Sequence, residues 1–201
     1  QRQMCIRDSR FIVESPMHFN VWDKIIRKEI LDHNCIRFPE QVAYEDIYFG
    51  ALLHLYVRKV AYVDAIYYHY YINPASTVLK KEAAYHGDII TVNEMLVETL
   101  KERGFWETYQ KSLEIDLLFI WYLATVKIIC LRFEKPPYEM FCRLKRSILF
   151  YIPECLKNPY IPVYMKEFYQ LLLKLLEIEV TPPVLDQVAE QYKQYVQTYE
   201  G

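Results

Sequence analysis

Glycine is scarce in this chain, with four residues at positions 50, 87, 104 and 201 of a total of 201. A glycine-rich phosphate-binding loop needs several glycines within a few residues, because its backbone must approach the phosphates closely. The glycines here are too far apart to form one. The sequence therefore excludes a protein that binds phosphate through such a loop.

The patterns typical of disulfide frameworks and structural zinc sites are also missing. The five cysteines, at positions 5, 35, 130, 142 and 155, form no C-x-x-C pair, and no two histidines stand at a metal-binding spacing. Free thiols are typical of proteins in a reducing compartment. We therefore expect a cytoplasmic protein, and peripheral contact with the membrane is a second expectation.

Long hydrophobic runs and an excess of one charge are absent as well. The longest apolar run, Leu117 to Val126, has ten residues, which as a helix reach ~15 Å, about half of the apolar bilayer core. It predicts a buried core helix. The 24 basic and 26 acidic residues give a net charge of −2, so we expect no nucleic-acid partner.

The first nine residues, QRQMCIRDS, show no apolar periodicity and resemble a translated sequencing adapter. We expect residues 1–9 to be an artefact and the natural protein to continue upstream. After them, hydrophobic periodicity predicts an α/β segment over residues 10–80. Its expected elements are helices at 21–33 and 44–57 and strands at 35–40, 59–64 and 66–72.

The pattern changes after residue 80, where amphipathic helical periodicity takes over. We expect residues 81–201 to form a helical C-terminal subdomain that closes its own core. Its expected helices, separated mainly by glycine and prolines, are 82–104, 105–133, 138–151, 163–179 and 184–199. The fold class is thus α/β followed by an all-α extension, and mostly helical.

The acidic pair Glu45-Asp46 opens the helix expected at 44–57. Acidic residues in a first turn complement the helix dipole, and by spacing alone this is the simpler interpretation. The alternative is a general base, because a carboxylate at a helix start is held rigidly and the dipole keeps it ionised. One of the two then points inward while the other caps the helix.

Three other segments are candidates for substrate binding. Trp22-Asp23-Lys24 is either a core tryptophan with two exposed charges or a binding motif. The aromatic run 67–77 is either a half-buried strand or a lid that brings His69, Asn73 and Ser76 to phosphate oxygens, with His69 also a potential metal ligand. The basic patch Arg143, Lys145 and Arg146 is either a solvated helix face or a contact with an anionic membrane.

Four motifs in this order resemble family 2 glycosyltransferases of bacterial cell-surface polysaccharide synthesis. The motifs are Trp22-Asp23-Lys24-Ile25, Phe38-Pro39-Glu40, Tyr44-Glu45-Asp46 and the aromatic run from Tyr67 to Ser76. The similarity covers residues 12–80, about a third of the chain. It corresponds to the C-terminal half of that family's catalytic domain.

The resemblance implies a partial GT-A (Rossmann-like) domain over residues 10–80, carrying the acceptor side. It implies an inverting transferase that moves a sugar from a nucleotide-diphosphate sugar to a saccharide or lipid-linked acceptor hydroxyl. Asp46 would be the base, with Glu45 beside it, and Ser76 would lie near the diphosphate. The full-length enzyme would use Mg²⁺ or Mn²⁺.

Two features depart from the family pattern. Tyr70-Tyr71 stand where many members carry an arginine, and the family's metal-binding Asp-x-Asp occurs nowhere in the 201 residues. We therefore expect no metal site in this chain, apart from the candidate His69, and an inactive fragment without donor binding. The alternative from a different class is a non-catalytic helical interaction module.

Overall fold

The computed structural model describes residues 3–5, 19–71, 73, 76 and 80–199, and helices dominate this part of the chain. Residues 1, 2 and 6–9 of the adapter-like segment lie outside the described residues, so its artefactual origin stays a prediction. The elements are β1 (Gln3–Cys5), α1 (Lys28–His33), α2 (Glu45–Tyr56), β2 (Lys59–Ala61), a 3₁₀ turn (Ala84–Gly87), α3 (Asp88–Glu102), α4 (Phe105–Leu117), a π-helical turn (Leu118–Leu123), α5 (Ala124–Leu131), α6 (Tyr138–Tyr151), a 3₁₀ turn (Cys155–Lys157), α7 (Ile161–Tyr164), α8 (Glu167–Leu173), a 3₁₀ turn (Lys174–Leu176) and α9 (Pro182–Tyr199).

The prediction of an α/β, Rossmann-like GT-A part over residues 10–80 is wrong. The only sheet in the described residues is the antiparallel pair β1–β2, three residues on each strand, with Gln3 opposite Ala61. Residues 62–71 form no strand, and neither do residues 35–40. Alternating or aromatic residues favour a strand only where a neighbouring strand accepts its backbone hydrogen bonds. No such neighbour accompanies these segments in the described residues.

The helix expected at 21–33 is shorter than predicted. It begins at Lys28, and the preceding residues form a turn in which the Lys24 ammonium group donates to the backbone carbonyl of Asn20 and contacts the Asp23 carboxylate. Ile25, which the periodic pattern placed on a buried face, is fully exposed. Without burial of that face, the helix gains little from continuing toward its predicted start.

The predictions for the second half match the structure more closely, except that the helix expected at 163–179 is divided at Met165–Lys166, where the backbone is extended, and ends in a 3₁₀ turn. Helix α6 has the predicted bounds, and Pro137 at its N-cap separates it from α5. The stretch expected as one helix over 105–133 is helical without interruption from Phe105 to Leu131. It contains a kink at Tyr109 and the π-helical turn Leu118–Leu123. Pro182 and Pro183 begin α9, where a missing N–H costs nothing because no intrahelical acceptor exists for it.

The core is built around α3, which packs against α2, α4 and α6, while α9 packs on α5. The run Leu117 to Val126 supplies buried side chains to this core, including Trp121 and Tyr122, as predicted. Leu96 and Leu100 of α3 share a small cavity with Ala51 and Leu55 of α2, so hydrophobic packing crosses the division expected at residue 80. The division into a 10–80 domain and an 81–201 subdomain stays a prediction.

Among the described residues, none of the helices has both the length and the hydropathy needed to cross a membrane.

Candidate active site

The acidic pair lies in the first turn of α2, where the sequence placed it. Tyr44, at the N-cap, has the left-handed backbone angles φ 65° and ψ 24°. Glu45 is exposed, whereas Asp46 is half-buried. The two neighbouring carboxylates therefore occupy different environments, and Asp46 is the one that turns toward the protein.

The pKa of Asp46 is raised above its ordinary value. Burial is the main cause, and the charge of Glu45 adds to it, while the backbone N–H groups of Ile47 and of Asp46 itself act in the opposite direction. The helix dipole was expected to keep this carboxyl ionised by lowering its pKa, and the direction of that shift is wrong, because desolvation and the adjacent carboxylate outweigh the helix end. A carboxylate with a raised pKa holds a proton more strongly and so is a better base.

The segment before α2 is attached to the beginning of α3. The Tyr44 hydroxyl lies 2.5 Å from Nδ1 of His86, and Nε2 of His86 lies 3.0 Å from the backbone oxygen of Lys80. The backbone N–H of Ala43 donates to Oδ2 of Asp88 at 3.0 Å. The sequence analysis missed His86 and Asp88, because a single histidine ahead of an amphipathic helix carries no recognisable spacing.

The tryptophan motif and the aromatic run contact each other directly. The Trp22 ring stacks on Tyr68 and on Tyr70, with centroid separations of 5.0 and 5.3 Å. Tyr68 and Tyr70 are two positions apart in the chain. The structure thus brings the first and fourth of the motifs together at the surface.

The other two motifs meet at α2. The Phe38 ring, from the Phe38-Pro39-Glu40 motif, lies parallel to Phe49 of α2 with a centroid separation of 4.1 Å. Lys24 lines a small cavity together with Phe49 and Gly50. The second motif therefore contacts α2, which contains most of the third motif, and the fourth motif contacts the Trp22 ring of the first. The bonds that Lys24 makes to Asn20 and Asp23 compete with its predicted role in substrate binding.

The residues predicted for the lid are less closely organised. His69 lies between the two stacking tyrosines in sequence and is exposed, as is Asn73. The Ser76 N–H donates to the backbone oxygen of Asn73 at 2.9 Å, which forms a turn that joins these two predicted ligands. Residues 72, 74, 75 and 77 of the predicted lid lie outside the described residues.

No three His, Cys, Asp or Glu side chains of the described residues are grouped as a metal ion would require. The described residues therefore do not fit the Mg²⁺ or Mn²⁺ expected of the full-length enzyme, and His69 belongs to no such group among them.

The basic patch is largely part of the helix packing. Arg143 donates to Oγ1 of Thr91 at 2.9 Å and to Oε2 of Glu94 at 3.0 Å. Lys145 donates to the backbone oxygens of Leu175 and Ile178 at 3.0 and 2.5 Å. These contacts link α6 to α3 through Arg143, and to the 3₁₀ turn Lys174–Leu176 and Ile178 through Lys145. Membrane contact through this patch stays a prediction.

No family model, curated protein or solved structure matches the chain. Its function must therefore be argued from the residues of the site.

Proposed function

We propose that this chain contributes the acceptor side of an inverting glycosyltransferase of cell-surface polysaccharide synthesis. The observation that carries the proposal is the environment of Asp46, which is half-buried at a helix start with a raised pKa while Glu45 beside it is exposed. Asp46 is the base in this proposal, and Glu45 supports it by raising its pKa. The class of reaction follows from the four sequence motifs.

In the proposed reaction, the main role of this chain is to remove a proton from the acceptor hydroxyl. A carboxylate oxygen of Asp46 accepts the proton of the acceptor hydroxyl while the hydroxyl oxygen forms a bond to the anomeric carbon of the donor sugar. The bond from that carbon to the diphosphate breaks on the opposite face, so the configuration inverts. The transition state resembles an oxocarbenium ion, as in glycoside hydrolysis, and the nucleoside diphosphate leaves with the electron pair.

The contacts among the motifs support this proposal. Trp22 stacks on the aromatic run, while Phe38 packs on the helix that carries Asp46. Four segments selected for their resemblance to one family are thus also neighbours in space. Trp22, His69, Asn73 and Ser76 are the residues from which substrate contacts would come, in the same region of the chain.

The donor side must come from elsewhere in this proposal. The 201 residues contain no Asp-x-Asp and no glycine-rich loop, and a diphosphate needs a metal, such a loop or a basic cradle. The natural reading frame upstream of residue 10 should therefore encode an Asp-x-Asp, and a polypeptide that includes it should transfer sugar. A start codon near residue 10 would contradict this.

A second candidate, a non-catalytic interaction module, is favoured by one observation. Several large side chains between Tyr62 and Tyr71 are exposed, among them Ile66 at 81%, Tyr67 at 82% and Tyr71 at 84%. Contiguous exposed apolar surface often marks a binding site. Transfer activity that depends on Asp46 would support the enzyme. If the upstream-extended polypeptide, which includes the Asp-x-Asp, shows no transfer activity, the interaction module is favoured.

A further inference from the structure

Tyr44 occupies a backbone conformation that needs outside support. A non-glycine residue with φ of 65° lies in the left-handed region, which costs free energy and persists only where surrounding contacts hold it. This residue immediately precedes Glu45-Asp46, so the direction in which the first turn of α2 leaves it determines where Asp46 lies. The Ile47 N–H donates to the backbone oxygen of Tyr44 at 3.1 Å and closes this turn.

The hydrogen bonds around His86 fix the roles of its two ring nitrogens. Nε2 lies 3.0 Å from the backbone oxygen of Lys80, which can only accept, so Nε2 carries the proton. In the neutral ring Nδ1 is then an acceptor, and the Tyr44 hydroxyl donates to it across 2.5 Å. Each nitrogen of this buried imidazole therefore has a matched partner.

The surroundings keep the Tyr44 hydroxyl a donor. Burial is the main cause that raises the pKa of Tyr44 to about 12, and Tyr85, Asp88 and Asp46 raise it further, against the opposing charge of Arg132. The phenol thus remains protonated at neutral pH. The rings of Tyr85 and Phe133 pack against His86 at 4.7 and 5.7 Å and leave it little freedom to rotate.

A second bond acts on the same segment. The Ala43 N–H donates to Oδ2 of Asp88, the first residue of α3, while His86 belongs to the turn just before that helix. Two consecutive residues ahead of Asp46 are thus bonded to two residues at one end of α3. This arrangement fixes the start of α2 relative to the helical part of the protein.

We propose that His86 is a positioning residue for Asp46, which acts by holding the Tyr44 hydroxyl so that the first turn of α2 presents Asp46 in its half-buried place. The proposal rests on the proposed function, in which Asp46 is the base. Its observable consequence in the chain itself is that the environment of the Asp46 carboxyl depends on the Tyr44–His86 hydrogen bond.

Four substitutions separate positioning from general stability. Tyr44→Phe removes the donor, and His86→Gln removes the acceptor while placing an amide near the Lys80 oxygen. His86→Asn places an amide oxygen near the former Nδ1 and should restore the bond. Tyr48→Phe is the matched control, because the Tyr48 hydroxyl, one turn further along α2, lies 3.0 Å from Oγ1 of Thr99 and joins α2 to α3 without contacting the segment before α2.

The measurement is an NMR titration of the Asp46 side-chain carboxyl in each purified chain, together with amide exchange at Ile47. In Tyr44→Phe and His86→Gln the titration midpoint should fall toward that of an exposed aspartate, because the carboxyl loses part of its burial. Exchange at Ile47 should accelerate by about two- to tenfold, as expected for one lost hydrogen bond. His86→Asn and Tyr48→Phe should leave the Asp46 midpoint near that of the unmodified chain.

An unchanged Asp46 midpoint in Tyr44→Phe and His86→Gln, with melting temperatures lowered as in Tyr48→Phe, would overturn the proposal, since the bond would then only stabilise the fold. If the His86 variants do not fold, the comparison of the Asp46 midpoint in Tyr44→Phe with that in Tyr48→Phe is sufficient for the test. The titration needs no transfer activity. A shifted midpoint combined with normal transfer by an Asp46→Asn enzyme would instead overturn the assignment of the base.

Discussion

Gly50 and Phe19 are in such close contact that a Cβ atom on Gly50 would lie 2.7 Å from Cδ1 and 3.0 Å from Cα of Phe19. The second distance involves backbone, which cannot move aside as a side-chain tip can. Phe19 therefore packs directly against the backbone of α2, the helix that begins with the candidate base. The absence of a side chain at position 50 makes this contact possible.

We predict that Gly50→Ala destabilises the protein by ~1–3 kcal/mol, the usual cost of overpacking, despite the higher helix propensity of alanine. The measurement is the free energy of unfolding from denaturant titration. Gly87→Ala is the matched control, because a Cβ there meets nothing within 4 Å and its backbone is already helical. That variant should be neutral or slightly stabilised. Equal stability of the two variants would contradict the close packing of Phe19 on Gly50.

Asp116 gives a prediction about pH. Its side chain lines a cavity with Leu113, Leu117 and other mainly apolar residues, and burial raises the pKa of its carboxyl from 3.8 to about 7. Because the folded state then holds the proton more tightly than the unfolded state, this group destabilises the fold progressively as the pH rises from about 4 to 7. Its effect is constant at higher pH.

Asp116→Asn should therefore raise the free energy of unfolding at pH 8 by at least ~1 kcal/mol relative to the unmodified chain, and by much less at pH 4. The measurement is denaturant unfolding at both pH values. Asp64→Asn, at an exposed carboxylate, serves as the control and should change stability little at either. A gain from Asp116→Asn that is the same at pH 4 and pH 8 would show that the carboxyl does not titrate in this way.

The chain alone should neither transfer sugar nor bind a nucleotide-diphosphate sugar in the micromolar range. Neutral contacts from His69, Asn73 and Ser76, each contributing ~0.5–1.5 kcal/mol, do not offset the loss of translational and rotational freedom on binding. Calorimetric titration with uridine- and guanosine-diphosphate sugars in the presence of Mn²⁺ tests this. Clear micromolar binding would contradict the proposal that the donor site lies outside this chain.

The helices of the second half were predictable because local signals agree with their packing. The Pro136-Pro137 pair and the apolar spacing of α6 mark its start and its buried face, and the structure keeps Phe141, Leu144 and Ile148 buried. The strands expected in the first half were wrongly predicted, because a strand needs a partner that the local sequence does not specify. Tyr67 and Tyr71 favour a strand by residue type, yet they lie exposed and unassigned to any sheet.

The site divides in the same way. The position of Glu45-Asp46 at a helix start was predictable, since a local pattern determines it. The direction of the Asp46 pKa shift was not, because its main cause is burial, which only the fold determines. The contact of Tyr44 with His86, 42 positions away, likewise requires the fold, and the stacking of Trp22 on Tyr68 joins two motifs that the sequence shows only in order.

The most direct test of the central claim is the turnover of the upstream-extended polypeptide with single substitutions at the acidic pair. Asp46→Asn should lower kcat by ~10²–10⁴, the range for removing a general base, and should leave the donor Kd nearly unchanged. Glu45→Gln, at the exposed neighbour, should retain most of the activity. Near-normal turnover by Asp46→Asn together with loss of activity in Glu45→Gln would contradict the assignment of Asp46 as the base.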